Sequence, residues 1–170
     1  PEGTITYYND SGYDKSLDVA FEQWEATGLP NKFVETEDQD SADIVFKDDE
    51  AGLEEACDTD GCLAHTSYIG YSPIRQTTIH LVPARQDDLE KIIQNPNYVP
   101  TIIHEIGHVL GLRHNDNSCS IMNSNALCRS FATVRVNSLG TASLCGPFET
   151  DREVLDNLYN LQSSRPDDFC

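Results

Sequence analysis

Cationic side chains are scarce in this 170-residue chain: 11 Lys and Arg stand against 29 Asp and Glu, a formal net charge of −18. Without a basic stripe to neutralise phosphates, the sequence argues against nucleic acid and against an anionic membrane surface as partners. Long apolar runs are missing too, and none approaches the roughly 18–20 residues that cross a bilayer. Internal repeats, low-complexity blocks and linkers are absent, which points to a single domain over 1–170. A chain of this length can bury a core without staples, and 38% apolar and 8% aromatic residues suffice to build one. The acidic surplus is compatible with a basic substrate or a bound cation, but a solvated acidic surface is the preferred reading.

Six cysteines are present: Cys57, Cys62, Cys119, Cys128, Cys145 and Cys170. No two form a C-x-x-C pair, so an even count fits disulfides better than a zinc knuckle. Proximity favours Cys57–Cys62 and Cys119–Cys128, leaving Cys145 with Cys170. Disulfides imply an oxidising, extracellular compartment. The start at Pro1 reads as a mature, secreted product from which a signal and a pro-segment have been removed. Asn9-Asp10-Ser11 is a glycosylation sequon, meaningful only in a eukaryotic source.

Gly3 to Tyr8 alternates β-branched and aromatic residues and predicts a first strand. Leu17, Ala20, Phe21 and Trp24 recur at helical spacing, giving a helix over about 14–27 closed by Gly28 and Pro30. Trp24 reads as a core anchor. Lys32 to Glu37 and Ala42 to Lys47 predict two strands, with Ile44 and Phe46 on one face and Val45 on the other. Residues 51–76 are the least regular, with a short strand within Cys62 to Tyr68. Thr77 to Val82 is a clearer strand. Asp87 to Gln94 reads as a short helix, and Tyr98 to about Leu110 has helical periodicity. Thr150-Asp151-Arg152-Glu153 is a capping box, and Val154, Leu155, Leu158 and Leu161 then mark the apolar face of a closing helix.

The chemistry concentrates in His104-Glu105-Ile106-Gly107-His108-Val109-Leu110-Gly111-Leu112-Arg113-His114. His104 and His108, four apart on a helix, project from one face a turn apart. Two neutral imidazoles so placed suit Zn²⁺. Glu105, beside the first of them, can reach a water without occupying the metal. Gly111 can take the left-handed conformation that stops the helix and turns the chain, which lets His114 return as a third ligand. Three protein ligands leave a fourth position open, the mark of a catalytic site. A bare His-Glu-x-x-His arises by chance on amphipathic helices; Gly111 and His114 make coincidence a poor explanation. Met122, the single methionine, would by itself be read as core filling.

The zinc stretch followed by Met122 resembles the metzincin zinc endopeptidases, and the layout resembles their smallest members, snapalysins and the catalytic domains of matrixins. The resemblance extends over Thr4-Ile5-Thr6-Tyr7-Tyr8, the Trp24 helix, Ala42-Asp43-Ile44-Val45-Phe46 and the closing helix. It implies an α+β fold: a twisted mixed sheet with a helix packed on it, an active-site zinc helix, and a small C-terminal subdomain ending in a helix. The N-terminal subdomain would span about 1–111 and the C-terminal one about 112–170. Met122 would lie in a Met-turn beneath the metal. Snapalysins carry Asp as third ligand, which would make the nearby Asp116 the alternative, whereas His114 matches the matrixin type; Cys119–Cys128 looks like the snapalysin disulfide around the Met-turn. His65 and His80 fall where matrixins bind a second, structural zinc. The upstream histidine of that site is missing here, and although Asp58 or Asp60 could substitute, two ordinary strand histidines are the preferred reading. Calcium at an acidic loop stays open, with no loop pattern to place it.

The expectation is therefore a monomeric, secreted endopeptidase with one catalytic zinc, Glu105 as general base and acid, and protein or peptide as substrate. Substrate would add as a strand along Leu63, Ala64, His65 and Thr66. The specificity pocket would border the zinc helix and the segment after Met122. No Tyr directly follows His114, so none is assigned to oxyanion support. Two other classes compete: an amidase acting on a small or cell-wall substrate, which a closed, charged pocket would favour, and an inactive binding module. The latter predicts loss of a ligand or of Glu105, and all four residues are present.

Overall fold

In β1 (Gly3–Asp10) Ile5 turns its side chain fully into the core, while the Thr and Tyr residues around it are exposed or half-buried. The computed structural model describes residues 3–57, 62–67, 70, 76–83, 98–117, 120–125, 134–136, 142–144, 154 and 157–159. β2 (Asn31–Glu35) and β3 (Ile44–Asp48) flank β1, both parallel to it. β5 (Thr77–Leu81) continues the sheet parallel to β3, and β4 (Ala64–Thr66) closes it antiparallel to β5. The order is β2-β1-β3-β5-β4. This is the mixed sheet of the expected α+β fold, with β4 as an edge.

Helix α1 (Asp14–Glu25) buries Leu17, Ala20, Phe21 and Trp24, the predicted face. Phe21 joins it to the sheet: its ring lies 4.5 Å from Phe33, 4.6 Å from Tyr7 and 5.9 Å from Phe46 between centroids. Aromatic pairs at such separations add to simple area burial. Burial also pushes the Tyr7 phenol up to about 12, assisted by Glu35, Asp18 and Asp14.

Several boundaries shift from those expected. α1 ends at Glu25 instead of about 27, β2 is 31–35 instead of 32–37, and β3 is 44–48 instead of 42–47. Before β3, Asp43 is occupied in a clip: its Oδ2 accepts from the Thr6 amide (2.8 Å) and hydroxyl (2.9 Å). Within the stretch read as least regular lies a helix, α2 (Glu50–Ala56). Val45 does alternate away from Ile44 and Phe46, but all three are fully buried because β3 is central. Val45 and α2's Leu53 are both buried outside the main core cluster. Two short strands that the pattern did not reveal, β6 (Val134–Val136) and β7 (Ala142–Leu144), form an antiparallel pair.

The Cys57–Cys62 disulfide is formed; the other two expected pairs, the 87–94 helix and the 150–153 capping box lie outside the described residues. Of the closing helix, residues 154 and 157–159 are described as helical. Val154 and Leu158 of the expected apolar face are exposed, while its Leu155 and Leu161 lie outside the described residues. Contact comes from Tyr159, about 100° round from Leu158, which packs on the core and donates its hydroxyl to the Leu110 carbonyl (3.2 Å).

Asp49 starts α2: its Oδ1 accepts from the Gly52 amide (2.9 Å) and its Oδ2 meets His80 Nδ1 (3.1 Å). A Cβ on Gly52 would run into both Asp49 Oδ2 and His80 Nδ1. The Gly52 amide, and after it His80, hold the Asp49 carboxyl below the usual carboxylate range. A depressed carboxyl pKa stabilises the fold above the unfolded value and ceases to do so as the pH falls through the folded one. Asp49→Ala is therefore expected to melt below the parent at neutral pH, with the difference shrinking on acidification. A difference that persists well below the carboxylate range would mean that the charge of Asp49 is not what stabilises α2.

Candidate metal centre

Helix α3 (Tyr98–Val109) carries the motif. Every residue from Val99 to Leu110 is buried, so α3 is a core helix instead of a surface one. α1 supports it from one side, where Trp24 Nε1 donates to the Ile103 carbonyl at 2.9 Å. Gly107 explains the close packing. A Cβ there would collide with Met122 Sδ and come within 3.1 Å of Trp24 Cζ2. Met122 thus lies directly against the helix between the two motif histidines.

The helix stops as its sequence predicts. Gly111 has φ +93°, the Gly111 amide bonds to His108 O (3.0 Å) and the Leu112 amide to Gly107 O (2.9 Å). This pair of bonds around a left-handed glycine is the Schellman arrangement. The chain then turns towards the metal-binding face. The Asn115 amide bonds to the Met122 carbonyl (2.9 Å), tying the His114 loop to the turn at 120–123.

Three imidazoles converge as a result. His114 Nε2 lies 3.2 Å from both His104 Nε2 and His108 Nε2. His104 Nδ1 lies 2.7 Å from the Ile121 carbonyl and His108 Nδ1 2.8 Å from the Leu112 carbonyl. A carbonyl can only accept, so both Nδ1 atoms carry the proton and both Nε2 lone pairs face His114. His114 Nε2 has at most one proton to share between them, so mutual hydrogen bonding cannot satisfy all three nitrogens. A common cation can. Tetrahedral zinc with nitrogens at about 2.0–2.1 Å sets them roughly 3.3 Å apart, close to the spacing here. His104, His108 and His114 form a group able to hold a metal, with His114 exposed and the other two buried. The three-imidazole donor set fits zinc.

Asp116 is not drawn into this group. Its Oδ1 accepts from the Ser124 amide and hydroxyl, both at 2.8 Å, and these bonds hold its carboxyl below the usual range. His65 and His80 face each other across β4 and β5, and His80 meets Asp49. Asp58 and Asp60 lie outside the described residues.

Glu105 is 5% exposed. Its Oε2 accepts a hydrogen bond from Thr66 Oγ1 at 2.6 Å. Sequence reasoning placed Thr66 only along the substrate edge; period-two alternation, with His65 turned to one face and Thr66 to the other, was the available signal. Leu63, Ala64 and His65 are half-buried beside it. The β4–β5 ladder shows how that edge is oriented. The Leu63 carbonyl accepts from the Val82 amide and the Ser67 amide donates to Thr78 O. In an antiparallel pair such bonding alternates, so the backbone groups of Ala64 and Thr66 point away from β5, towards the side where no other described strand lies.

The mixed sheet, the helix with its His-Glu-x-x-His face, the returning histidine and the methionine turn together define a metzincin-like catalytic domain. The family model described as matrixin matches residues 4–138, and the chain belongs to that family. Compared with individual curated proteins, the chain has no significant match. Membership supports a peptidase that binds catalytic zinc.

If the triad is the metal site, His114→Ala should weaken zinc by more than the about 10–100-fold that loss of an outer hydrogen-bond partner costs, whereas Asp116→Ala should leave affinity near that of the parent. Competition with a chromophoric chelator measures both, and the reverse ranking would make Asp116 the ligand. Gly107→Ala should destabilise the fold by about 1–3 kcal/mol, the usual range for overpacking, measured by denaturant unfolding. An unchanged midpoint would show that Met122 gives way at no cost.

Proposed function

We propose that the protein is a secreted zinc-dependent endopeptidase in which His104, His108 and His114 hold the metal and Glu105 is the general base and acid. The observation that carries this reading is the convergence of three imidazole nitrogens beside a buried glutamate at an open sheet edge. Zinc, when bound, supplies Lewis acidity to an attacking water and to the scissile carbonyl.

The chain's own groups account for the rest. The carbonyls of Ile121 and Leu112 keep His104 and His108 in the tautomer that offers Nε2. Glu105 takes the proton of the attacking water and delivers it to the amine nitrogen as the peptide C–N bond breaks. An extended substrate strand can add its backbone hydrogen bonds to Ala64 and Thr66, the β-augmentation mode of peptide recognition. A strand edge that no other described strand pairs with suits a protein or peptide better than a small molecule, which would call for an enclosed pocket.

Secretion is supported by the Cys57–Cys62 disulfide, which persists in oxidising compartments. No helix among the described residues is long and apolar enough to cross a membrane.

The test is cleavage of casein by the zinc-loaded parent and by Glu105→Ala, with and without chelator. Cleavage should vanish with the chelator and fall by about 10²–10⁴-fold in the variant, while the variant still binds zinc. Turnover by Glu105→Ala near the parent rate would remove Glu105 from the mechanism. A zinc-loaded parent that leaves casein intact would overturn the endopeptidase reading in favour of a small-substrate amidase or a binding role.

A further inference from the structure

Resting on the reading of Glu105 as the base, we propose that Thr66 is its positioning residue, coupling the substrate edge to the catalytic carboxylate.

A glutamate reaches its target through three rotatable bonds, and a base must be held close to its productive geometry to act efficiently. The restraint here comes from outside α3. Thr66 Oγ1 lies 2.6 Å from Glu105 Oε2 and 3.2 Å from the Glu105 carbonyl oxygen. A hydroxyl has one proton, and the shorter contact, of charge-assisted length, receives it. Thr66 is a suitable anchor. It is 6% exposed, β-branched and therefore stiff about χ1, and held by its position opposite Ile79 in the β4–β5 ladder. The sheet thus sets where the hydroxyl stands.

The same residue turns its backbone N–H and C=O away from β5, to the side where a substrate strand would add. Main chain towards substrate and hydroxyl towards the base meet in one residue. A peptide registered on β4 is then registered on Glu105 as well, without passing through the metal ligands.

Thr66→Val keeps the branch and approximate shape but removes the donor; Thr66→Ser keeps the donor. Thr66→Val is expected to lower kcat by about 10-fold or more, since small misplacements of a catalytic group reach about 10²-fold. KM and zinc affinity by chelator competition should stay near the parent values, while the thermal midpoint falls, because the buried Glu105 carboxylate loses a hydrogen-bond donor. Thr66→Ser should recover most of the kcat. If valine does not fold, Thr66→Ala removes the same donor and is read the same way. In the Glu105→Ala background, Thr66→Val should cost nothing further, because both act on one step. A further loss there, an unchanged kcat in the single variant, or failure of Thr66→Ser to recover it would overturn the proposal.

Crystal structures of the metal-free parent and Thr66→Val supply a readout independent of turnover. The Glu105 carboxylate should hold one position in the parent and shift or spread in the variant. An identical, ordered Glu105 in both would overturn the positioning role even with the endopeptidase reading intact. Failure of the zinc-loaded parent to cleave casein would instead strike that reading alone.

Discussion

Helix α3 is buried from Val99 to Leu110, yet within that span it carries His104, Glu105 and His108. Buried polar groups are expensive unless bonded, and this requirement organises everything around the helix. Each of the three heads has a partner on another segment or just past the helix end: Ile121 O for His104, Leu112 O for His108, the Thr66 hydroxyl for Glu105. The bonds that remove the desolvation penalty are the same bonds that aim the side chains. Stability and preorganisation are satisfied together, and neither histidine can turn its Nε2 away without orphaning a buried Nδ1 proton.

The packing beneath follows from bringing those partners close enough. The Ile121 carbonyl reaches His104 only if the 120–123 turn lies tight against α3, and Gly107 makes the room by leaving Met122 against bare helix. On the adjacent side Trp24 locks the helix backbone through Ile103. Gly111 then sends the chain back so that the Asn115–Met122 backbone bond can close the loop bearing His114. Gly107, Gly111 and Met122 are thus parts of one device that brings the three imidazoles together.

Much of this was legible because it is local. The four-residue histidine spacing, the glycine stop and the returning histidine are encoded within eleven consecutive residues, where helical period and φ preference decide the outcome. The α1 face and the Cys57–Cys62 pair were legible for similar reasons. Other features depend on distant partners. α2 was missed because Gly52 weakens the helical propensity, and although the Asp49 cap is local, the crowding that requires a glycine there comes partly from the distant His80. β6 and β7, at three residues each, are too short to show a period of two. Among the described residues of the closing helix it is Tyr159 that packs on the core, one position from Leu158 of the expected apolar face, a contact with a distant helix that the local pattern does not announce. The Thr66–Glu105 bond spans thirty-nine positions, and nothing local announces it.

The two edges of the sheet are treated differently, and the difference bears on what the fold can do. An unpaired strand edge invites pairing with another chain. At β2 the invitation is withdrawn: Glu25 of α1 leans over the edge, accepting from the Phe33 amide at 3.2 Å and from Lys32 Nζ at 2.6 Å. That exposed ion pair adds little stability in itself, but it occupies a backbone donor and places charge where a strand would dock. At β4 the outward backbone of Ala64 and Thr66 carries no such cover from the ladder partners. It is only three residues long, too short to template extended pairing, and it belongs to a chain of net charge −18, whose copies repel one another. An open edge is tolerable under those conditions. With Thr66 linking it to Glu105, pairing by a transient peptide strand is felt at the carboxylate beside the three imidazoles, the one place in the described structure where such pairing has a chemical consequence.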